Sequence, residues 1–160
     1  MTDIDFLAKV KIFQGLDRKQ LAAILKYCVE AEFQPGTRIF KQGEDALFLW
    51  IVKDGRVDLR FEVAAGASSA DSKISSIPET GAFGWSSFTS PHKYRLSGYC
   101  SDQSCNIIKV AGDSLRQLFE EDPDIGYLVM SNVATVVGTR FNEFQEEAAR
   151  HRGQDLLGGW

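Results

Sequence analysis

The sequence has few of the residues that catalysis and metal binding most often use. It contains only two histidines, His92 and His151, and neither has a second ligand nearby at metal spacing. Its three cysteines are an odd number without framework spacing, which is typical of free thiols in a reducing compartment. Nucleophile elbows, Walker loops and Gly-x-Gly-x-x-Gly motifs are absent from the sequence. We therefore expect no catalytic residues, no bound metal, no cofactor and no enzymatic activity.

Positive charge and long apolar runs are also scarce. Lysine and arginine number 18 against 22 acidic residues, and the net charge of -4 has the wrong sign for a domain that binds phosphate backbones. Apolar runs are short, as in Leu47–Val52, whereas a membrane-spanning helix needs about 20 apolar residues. The acidic start Met-Thr-Asp-Ile-Asp does not resemble a secretory signal. We expect a cytoplasmic protein that binds neither nucleic acid nor membranes directly.

The length and composition that remain are those of one globular domain. The chain has 160 residues, of which 44% are hydrophobic and 25% charged. Near the start, Asp17 is followed three residues later by Gln20, and apolar residues recur behind them at helical spacing. This pattern predicts a helix over 18–29 within a helical lead-in that covers residues 1–30.

Residues 31–111 have the texture of a β domain. Short apolar stretches alternate with turn residues, which predicts a sandwich or barrel of short strands. Asp54-Gly55, between Phe48–Val52 and Arg56–Leu59, is the strongest hairpin signal, because glycine supplies the positive φ that tight turns require. The small polar stretch from Ala64 to Lys73 predicts a flexible loop between two strands.

The C-terminal part, residues 113–152, is predicted to be helical. Asp122-Pro123 is typical of a helix start, with an N-cap followed by proline at the first helical position. Apolar residues at steps of three and four then predict a helix of about 25 residues. This apolar stripe either packs on the β domain or meets a second copy of the chain in part of its length. We favour the second alternative, a homodimer. The residues of the predicted dimer interface are Leu128, Val129, Val133, Val136, Val137, Phe141 and Phe144.

The segment from Gly81 to Ser97 has the pattern of an anion site. Gly84 precedes a short helical stretch, whose first backbone N–H groups and positive dipole end favour a negative charge. Arg95 enters the next strand and can return to the same place to pair with a phosphate. The alternative is purely structural, with Gly84 as a turn residue and Arg95 as a solvated strand residue.

The order of these elements resembles the cyclic nucleotide-binding domain family, which includes bacterial catabolite activators, kinase regulatory subunits and gated channels. The resemblance rests on four stretches in this order: Phe13-Gln-Gly-Leu16, Gln34-Pro-Gly-Thr-Arg-Ile39, Lys41-Gln-Gly-Glu-Asp45 and Phe48-Leu-Trp-Ile-Val-Lys-Asp-Gly-Arg-Val57. It implies that residues 1–160 form one mainly β domain with flanking helices. The implied fold is a double-stranded β-helix, or jelly-roll barrel, with N-terminal helices and a long C-terminal helix.

The resemblance also implies a phosphate-binding cassette over residues 83–97. Gly84 and the N–H groups of Ser86 and Ser87 would hold a cyclic phosphate, and Arg95 would pair with its charge. Cyclic AMP is the expected ligand, because family members that select cyclic GMP often carry a threonine where this chain has Leu96. The full set of ligand-binding residues that we predict is Gly84, Trp85, Ser86, Ser87, Arg95, Leu96 and Ser97.

Two positions depart from the family pattern. Most nucleotide-binding members have a glutamate that accepts the ribose hydroxyl proton where this chain has Trp85, and an indole N–H only donates. An unpaired buried hydroxyl costs roughly 1–3 kcal/mol. In addition, His92-Lys-Tyr94 separates Pro91 from Arg95, whereas the family often places the arginine directly after the proline.

Two functions therefore remain open. The first is a non-catalytic regulatory module that binds an anionic ligand, with cyclic AMP favoured, and signals through its C-terminal helix. The alternative is a degenerate domain that no longer binds cyclic nucleotide and serves as a dimerisation or protein-interaction module.

Overall fold

The computed structural model describes residues 1–63 and 73–158, with side chains through residue 153. The loop predicted from Ala64 to Lys73 lies outside the described residues, except that Lys73 begins a strand. The helices are α1 (Ile4–Leu7), α2 (Arg18–Leu25), α3 (Gly112–Glu121) and α4 (Pro123–Gly158), with 3₁₀ helices at Lys11–Phe13 and Trp85–Phe88. The strands are β1 (Cys28–Phe33), β2 (Arg38–Phe40), β3 (Phe48–Asp54), β4 (Val57–Arg60), β5 (Lys73–Ile77), β6 (Ala82–Phe83), β7 (Ser97–Cys100) and β8 (Cys105–Ala111).

The predicted start of α2 is confirmed and its predicted end is corrected. Asp17 Oδ1 accepts a hydrogen bond from Gln20 N at 2.8 Å, and Gln20 Oε1 accepts one from Asp17 N at 2.9 Å, which completes a capping box. The helix ends at Leu25 rather than at residue 29, because Cys28 already pairs with Val110 in the ladder between β1 and β8. A long-range strand pairing thus overrides the local helical spacing.

The strands form two four-stranded antiparallel sheets, with strand orders β1-β8-β3-β6 and β2-β7-β4-β5. We call the two sheets together the roll. Among the described residues the ladders join the strands into these two sheets rather than into one closed barrel. The prediction of a mainly β jelly roll with flanking helices and a long C-terminal helix is confirmed.

The turn at Asp54-Gly55 is present, but the predicted hairpin is wrong. β3 pairs with β6 and β8, whereas β4 pairs with β5 and β7, so the turn carries the chain from one sheet to the other. Gly55 has a φ of +88°, and a Cβ there would lie 2.8 Å from the carbonyl oxygen of Ser104. The local turn signal was therefore read correctly, while the partners of both strands are set by residues far along the chain.

Two hydrophobic clusters hold the fold together. One lies between the outer face of the β1-β8-β3-β6 sheet and the helices, and it includes Leu49, Ile51, Ile108, Leu115 and Val129. The other lies inside the roll and contains a group of aromatic side chains, which are Phe40, Trp50, Phe83 and Tyr94. Helices therefore cover one face of the roll, and aromatic rings fill the space between its sheets.

Helix α4 is longer than the predicted 25 residues and packs partly on its own domain. It runs for 36 residues from Pro123, with Asp122 Oδ1 accepting a hydrogen bond from Ile125 N at 3.4 Å. Val129 and Val133 are buried in the chain's own core, and Val136 and Val137 pack against that core. Leu128 Cδ2 lies 3.1 Å from where a Cβ would stand at Gly15.

The predicted dimer interface is therefore corrected for the first half of its stripe. The buried valines are covered by the chain itself and offer no surface to a second copy, whereas Phe141 and Phe144 remain 60% and 55% exposed. None of the helices described is both long enough and apolar enough to cross a membrane.

Candidate functional site

A cavity of about 340 Å³ opens between the roll and α4. This volume lies within the range of roughly 300–1,000 Å³ that is usual for small-molecule sites. The roll supplies one wall and α4 supplies the other. The lining residues are Phe40, Leu59, Ile74, Ser75, Gly84, Trp85, Ser86, Tyr94, Arg95, Leu96, Val137, Arg140, Phe141, Glu143, Phe144 and Glu147.

Gly84 lies at the start of the roll wall of the cavity, and both its backbone conformation and the close packing around it require glycine. Its φ is +78°, in the left-handed region, and it precedes the 3₁₀ helix Trp85–Phe88. A Cβ at this position would lie 2.8 Å from Trp50 Cδ1 and 3.1 Å from the Phe48 carbonyl oxygen. The aromatic interior of the roll therefore presses directly against the backbone at the start of the turn.

The 3₁₀ helix offers fewer free donors than the sequence predicted. The Ser87 amide donates to the Gly84 carbonyl at 3.1 Å, so it closes the turn and does not face a ligand. The Ser87 side chain is fully buried beside Gly112 and lies outside the cavity. Ser86 does line the cavity, and its amide lies in the first turn, where N–H groups have no partner within the helix.

Arg95 and Leu96 reach the cavity, whereas Ser97 does not. The Arg95 side chain is exposed and forms no hydrogen bond or ion pair with any residue that the structure describes. Ser97 is buried, and its Oγ accepts a hydrogen bond from the Gln42 amide at 2.8 Å. Of the seven predicted ligand residues, the structure thus gathers Gly84, Trp85, Ser86, Arg95 and Leu96 around one cavity and places Ser87 and Ser97 elsewhere.

Trp85 occupies the cavity wall with an indole and no acceptor. Its side chain is half-buried, and it packs against the core beneath the helices while it borders the cavity. The position therefore contributes apolar surface and at most one hydrogen-bond donor. The structure describes no cluster of three or more metal-ligating side chains in residues 1–63 and 73–153.

The α4 wall carries functional groups that the sequence reasoning missed. Arg140 Nη2 donates to the Ala82 carbonyl at 2.8 Å, which ties α4 to the strand just before Gly84. Burial lowers the pKa of Arg140, and the nearby Glu143 carboxylate opposes that shift, so the guanidinium stays charged. Glu143 and Glu147 follow at helical spacing on the same wall. The spacing of Arg140, Glu143 and Glu147 at steps of three and four is the sequence signal that places them on a common side of the helix.

Comparison with known proteins finds relatives among solved structures. No protein-family model and no curated protein matches the chain. A protein from Geobacter metallireducens GS-15 assigned as cyclic nucleotide-binding is 27% identical, with a TM-score of 0.75, and the match covers 88% of this chain and 99% of that one. The catabolite activator protein of Thermus thermophilus is 21% identical at a TM-score of 0.69, over 87% of this chain and 62% of the activator.

A third similar structure comes from a kinase. It is the regulatory subunit of a cAMP-independent protein kinase A from Trypanosoma brucei, solved as a triple mutant bound to cyclic AMP in its A site. This subunit is 19% identical at a TM-score of 0.71, and the match covers 91% of this chain and 50% of the subunit. The two matches below 25% identity are evidence for the fold alone.

Proposed function

Because the chain has the fold of the cyclic nucleotide-binding domains, we propose that it is a non-catalytic regulatory module that binds a small anionic ligand under α4. Cyclic AMP is the favoured ligand. One observation carries this proposal: Arg95, which has no hydrogen bond or ion pair with any described residue, borders the same cavity as the glycine turn at Gly84. An exposed guanidinium beside the backbone N–H groups at the start of a helical turn is an arrangement that attracts a phosphate.

The remaining walls suit a ligand with a flat apolar part. Phe40, Leu59 and Leu96 line the roll side, and Phe141 and Phe144 line the α4 side. Aromatic and aliphatic walls with a few placed polar groups are typical of sites for cofactor-sized ligands. A purine base between such walls would bury apolar surface while its phosphate meets Arg95.

The same geometry supports signalling through α4. Phe141 and Phe144 are more than half exposed, so a ligand that fills the cavity would cover part of their surface. The ligand would then stabilise the position in which α4 lies over the roll. A ligand that contacts both walls binds that closed arrangement more tightly than an open one, and it shifts the population towards it.

Isothermal titration of the purified chain with cyclic AMP and cyclic GMP tests the proposal. We expect binding of cyclic AMP with micromolar affinity and weaker binding of cyclic GMP. Inorganic phosphate is the control for a site that recognises the anion alone. If neither nucleotide gives a heat of binding at protein concentrations suited to micromolar affinity, the assignment of cyclic AMP is refuted.

A second candidate function rests on Trp85 and on the exposed end of α4. Trp85 removes the acceptor that most nucleotide-binding relatives use, and Phe141 and Phe144 present apolar surface that a protein partner can cover. In this case the domain no longer binds cyclic nucleotide and serves as a dimerisation or docking module. Absence of binding to both nucleotides, together with self-association in analytical ultracentrifugation, distinguishes this function from the first.

A further inference from the structure

The polar groups of the cavity are divided between its two walls by charge. The roll supplies Arg95 and the Ser86 amide, which suit an anion. Helix α4 supplies two carboxylates, Glu143 and Glu147, together with Arg140. A site for a bare anion gains nothing from carboxylates in its wall, because like charges repel. A ligand that also carries a hydrogen-bond donor could use these carboxylates as acceptors.

Glu143 is the better placed of the two acceptors. It lies about one helical turn beyond Arg140. Arg140 itself donates the hydrogen bond to the Ala82 carbonyl that holds α4 against the roll. Glu143 has no hydrogen bond or ion pair with any described residue, whereas Glu147 lies 3.7 Å from His151 Nε2. Its acceptor oxygens are thus available to a ligand, close to the point where Arg140 ties α4 to the roll.

Arg140 makes a carboxylate at this place compatible with an anionic ligand. Its guanidinium interacts electrostatically with Glu143 and borders the same cavity. The positive charge of Arg140 near Glu143 offsets the repulsion that Glu143 would exert on the ligand's phosphate. The α4 wall therefore presents the Glu143 carboxylate as an acceptor, while Arg140 and Glu143 together carry no net charge.

We propose that Glu143 accepts a hydrogen bond from a hydroxyl group of the bound ligand. Trp85 cannot fill this role, because its indole N–H only donates. This inference rests on the proposed function. It narrows the ligand class to molecules with one anionic group and at least one hydroxyl donor, such as a cyclic nucleotide with a free ribose 2′-hydroxyl. The acceptor sits on the helix that covers the cavity, so the hydroxyl contact joins the ligand to α4 itself.

Calorimetric titration with cyclic AMP and 2′-deoxy cyclic AMP tests this role. The proteins are the wild-type chain, Glu143→Ala, and the matched control Glu146→Ala, which is also at an exposed position of α4 but does not line the cavity. Alanine is well tolerated at exposed helical positions. We expect the wild type to bind cyclic AMP about tenfold or more tightly than the deoxy analogue. Glu143→Ala should remove that preference by weakening the binding of cyclic AMP and not of the deoxy analogue, and Glu146→Ala should retain it.

Three results would overturn the inference, and the first two would leave the proposed function standing. Equal binding of cyclic AMP and its deoxy analogue by the wild type, or a preference that survives Glu143→Ala, rejects the role of Glu143 and leaves the proposed function intact. Failure of the wild type to bind cyclic AMP at all rejects the proposed ligand and the inference with it. Circular dichroism and thermal unfolding of both variants establish that α4 is intact in the comparison.

Discussion

The indole Nε1 of Trp50 donates a hydrogen bond to the hydroxyl of Tyr94 across 3.0 Å inside the roll. The same hydroxyl donates to the Phe48 carbonyl at 2.9 Å, and its ring stacks on Phe40 with 3.9 Å between centroids. Burial raises the pKa of Tyr94, while its hydrogen bonds to Trp50 and Phe48 oppose the shift. Because Tyr94 directly precedes Arg95, this network fixes the backbone just before the bend that carries the arginine, two residues ahead of β7.

Tyr94→Phe should destabilise the fold. The variant keeps the ring but leaves the buried Trp50 N–H and the Phe48 carbonyl without this partner, which costs about 1–3 kcal/mol. Urea unfolding followed by tryptophan fluorescence measures the difference. Tyr127→Phe is the matched control, because Tyr127 is 77% exposed and its loss of a hydroxyl should be neutral. Equal stability of Tyr94→Phe and the wild type would contradict the network's role.

Arg95→Ala should abolish measurable cyclic AMP binding and leave stability almost unchanged. The side chain is exposed and makes no protein contact by hydrogen bond or ion pair among the described residues, so its removal should change the free energy of unfolding by less than about 0.5 kcal/mol. Loss of a charge-assisted pair with a phosphate should weaken binding about 100-fold or more. Arg38→Ala, also exposed but outside the cavity, should bind normally. An Arg95→Ala chain that unfolds would show that the arginine is structural.

Trp85→Glu should raise the affinity for cyclic AMP. The substitution restores a carboxylate acceptor in the cavity wall, and we expect a gain of about tenfold that is largest in a chain that also carries Glu143→Ala. Trp85→Leu is the control for the space that the indole leaves, because leucine adds no acceptor. Calorimetry with both variants measures the effect. If the glutamate and leucine variants bind equally, the shape of the cavity rather than an acceptor limits binding.

Stability should depend on the ionisation of Glu30 at acid pH. Hydrogen bonds from Lys53 Nζ and the Thr2 hydroxyl, both at 2.6 Å, lower the pKa of Glu30 from 4.5 to about 2. The unfolded chain binds the proton more tightly, so this stabilisation is complete above pH 4.5 and is lost as the pH falls towards 2.

Glu30→Gln measures that contribution. Its side chain is partly exposed, so we expect a loss of about 1 kcal/mol in the free energy of unfolding at pH 7, and a difference from wild type that shrinks between pH 4.5 and pH 3. Glu32→Gln, on the same strand, should show no such trend. A difference between Glu30→Gln and wild type that stays constant over this interval would exclude the ion pair as its source.

The exposed end of α4 should mediate self-association. Phe141 and Phe144 are the residues of the predicted interface that the chain's own core leaves most exposed. We expect the double variant Phe141→Ser, Phe144→Ser to be monomeric in analytical ultracentrifugation without ligand, and the wild type to form dimers. Tyr127→Ser, at another exposed aromatic position of α4, is the control. A wild-type chain that is monomeric at every concentration would contradict this prediction. It would leave the two phenylalanines only the role of lining the cavity.

Local signals in the sequence predicted the element types well. The capping box at Asp17 and the Asp122-Pro123 helix start both appear in the structure, because caps depend on residues three positions apart. The turn at Asp54-Gly55 also formed, but its hairpin did not. A turn constrains only its own residues, and the pairing of β3 with β8 joins residues that are 52 to 63 positions apart.

The candidate site was predicted on its roll side and missed on its helix side. Gly84 and Arg95 lie in one segment, so a motif could bring them together. Arg140 and Glu143 reach the cavity only because α4 folds back over the roll, and no local pattern carries that information. Ser87 was predicted as a ligand residue, but its amide closes the turn and its side chain is turned towards Gly112.

By itself the sequence determined the order of the elements, their caps and turns, and a glycine where the backbone must take a positive φ, since these depend on a few neighbouring residues. Only the tertiary structure decided which sheet each strand joins, which half of α4 the domain covers, and which charges meet in the cavity. These features depend on contacts between distant parts of the chain, and such contacts form only when the apolar faces of the sheets and helices are buried against each other.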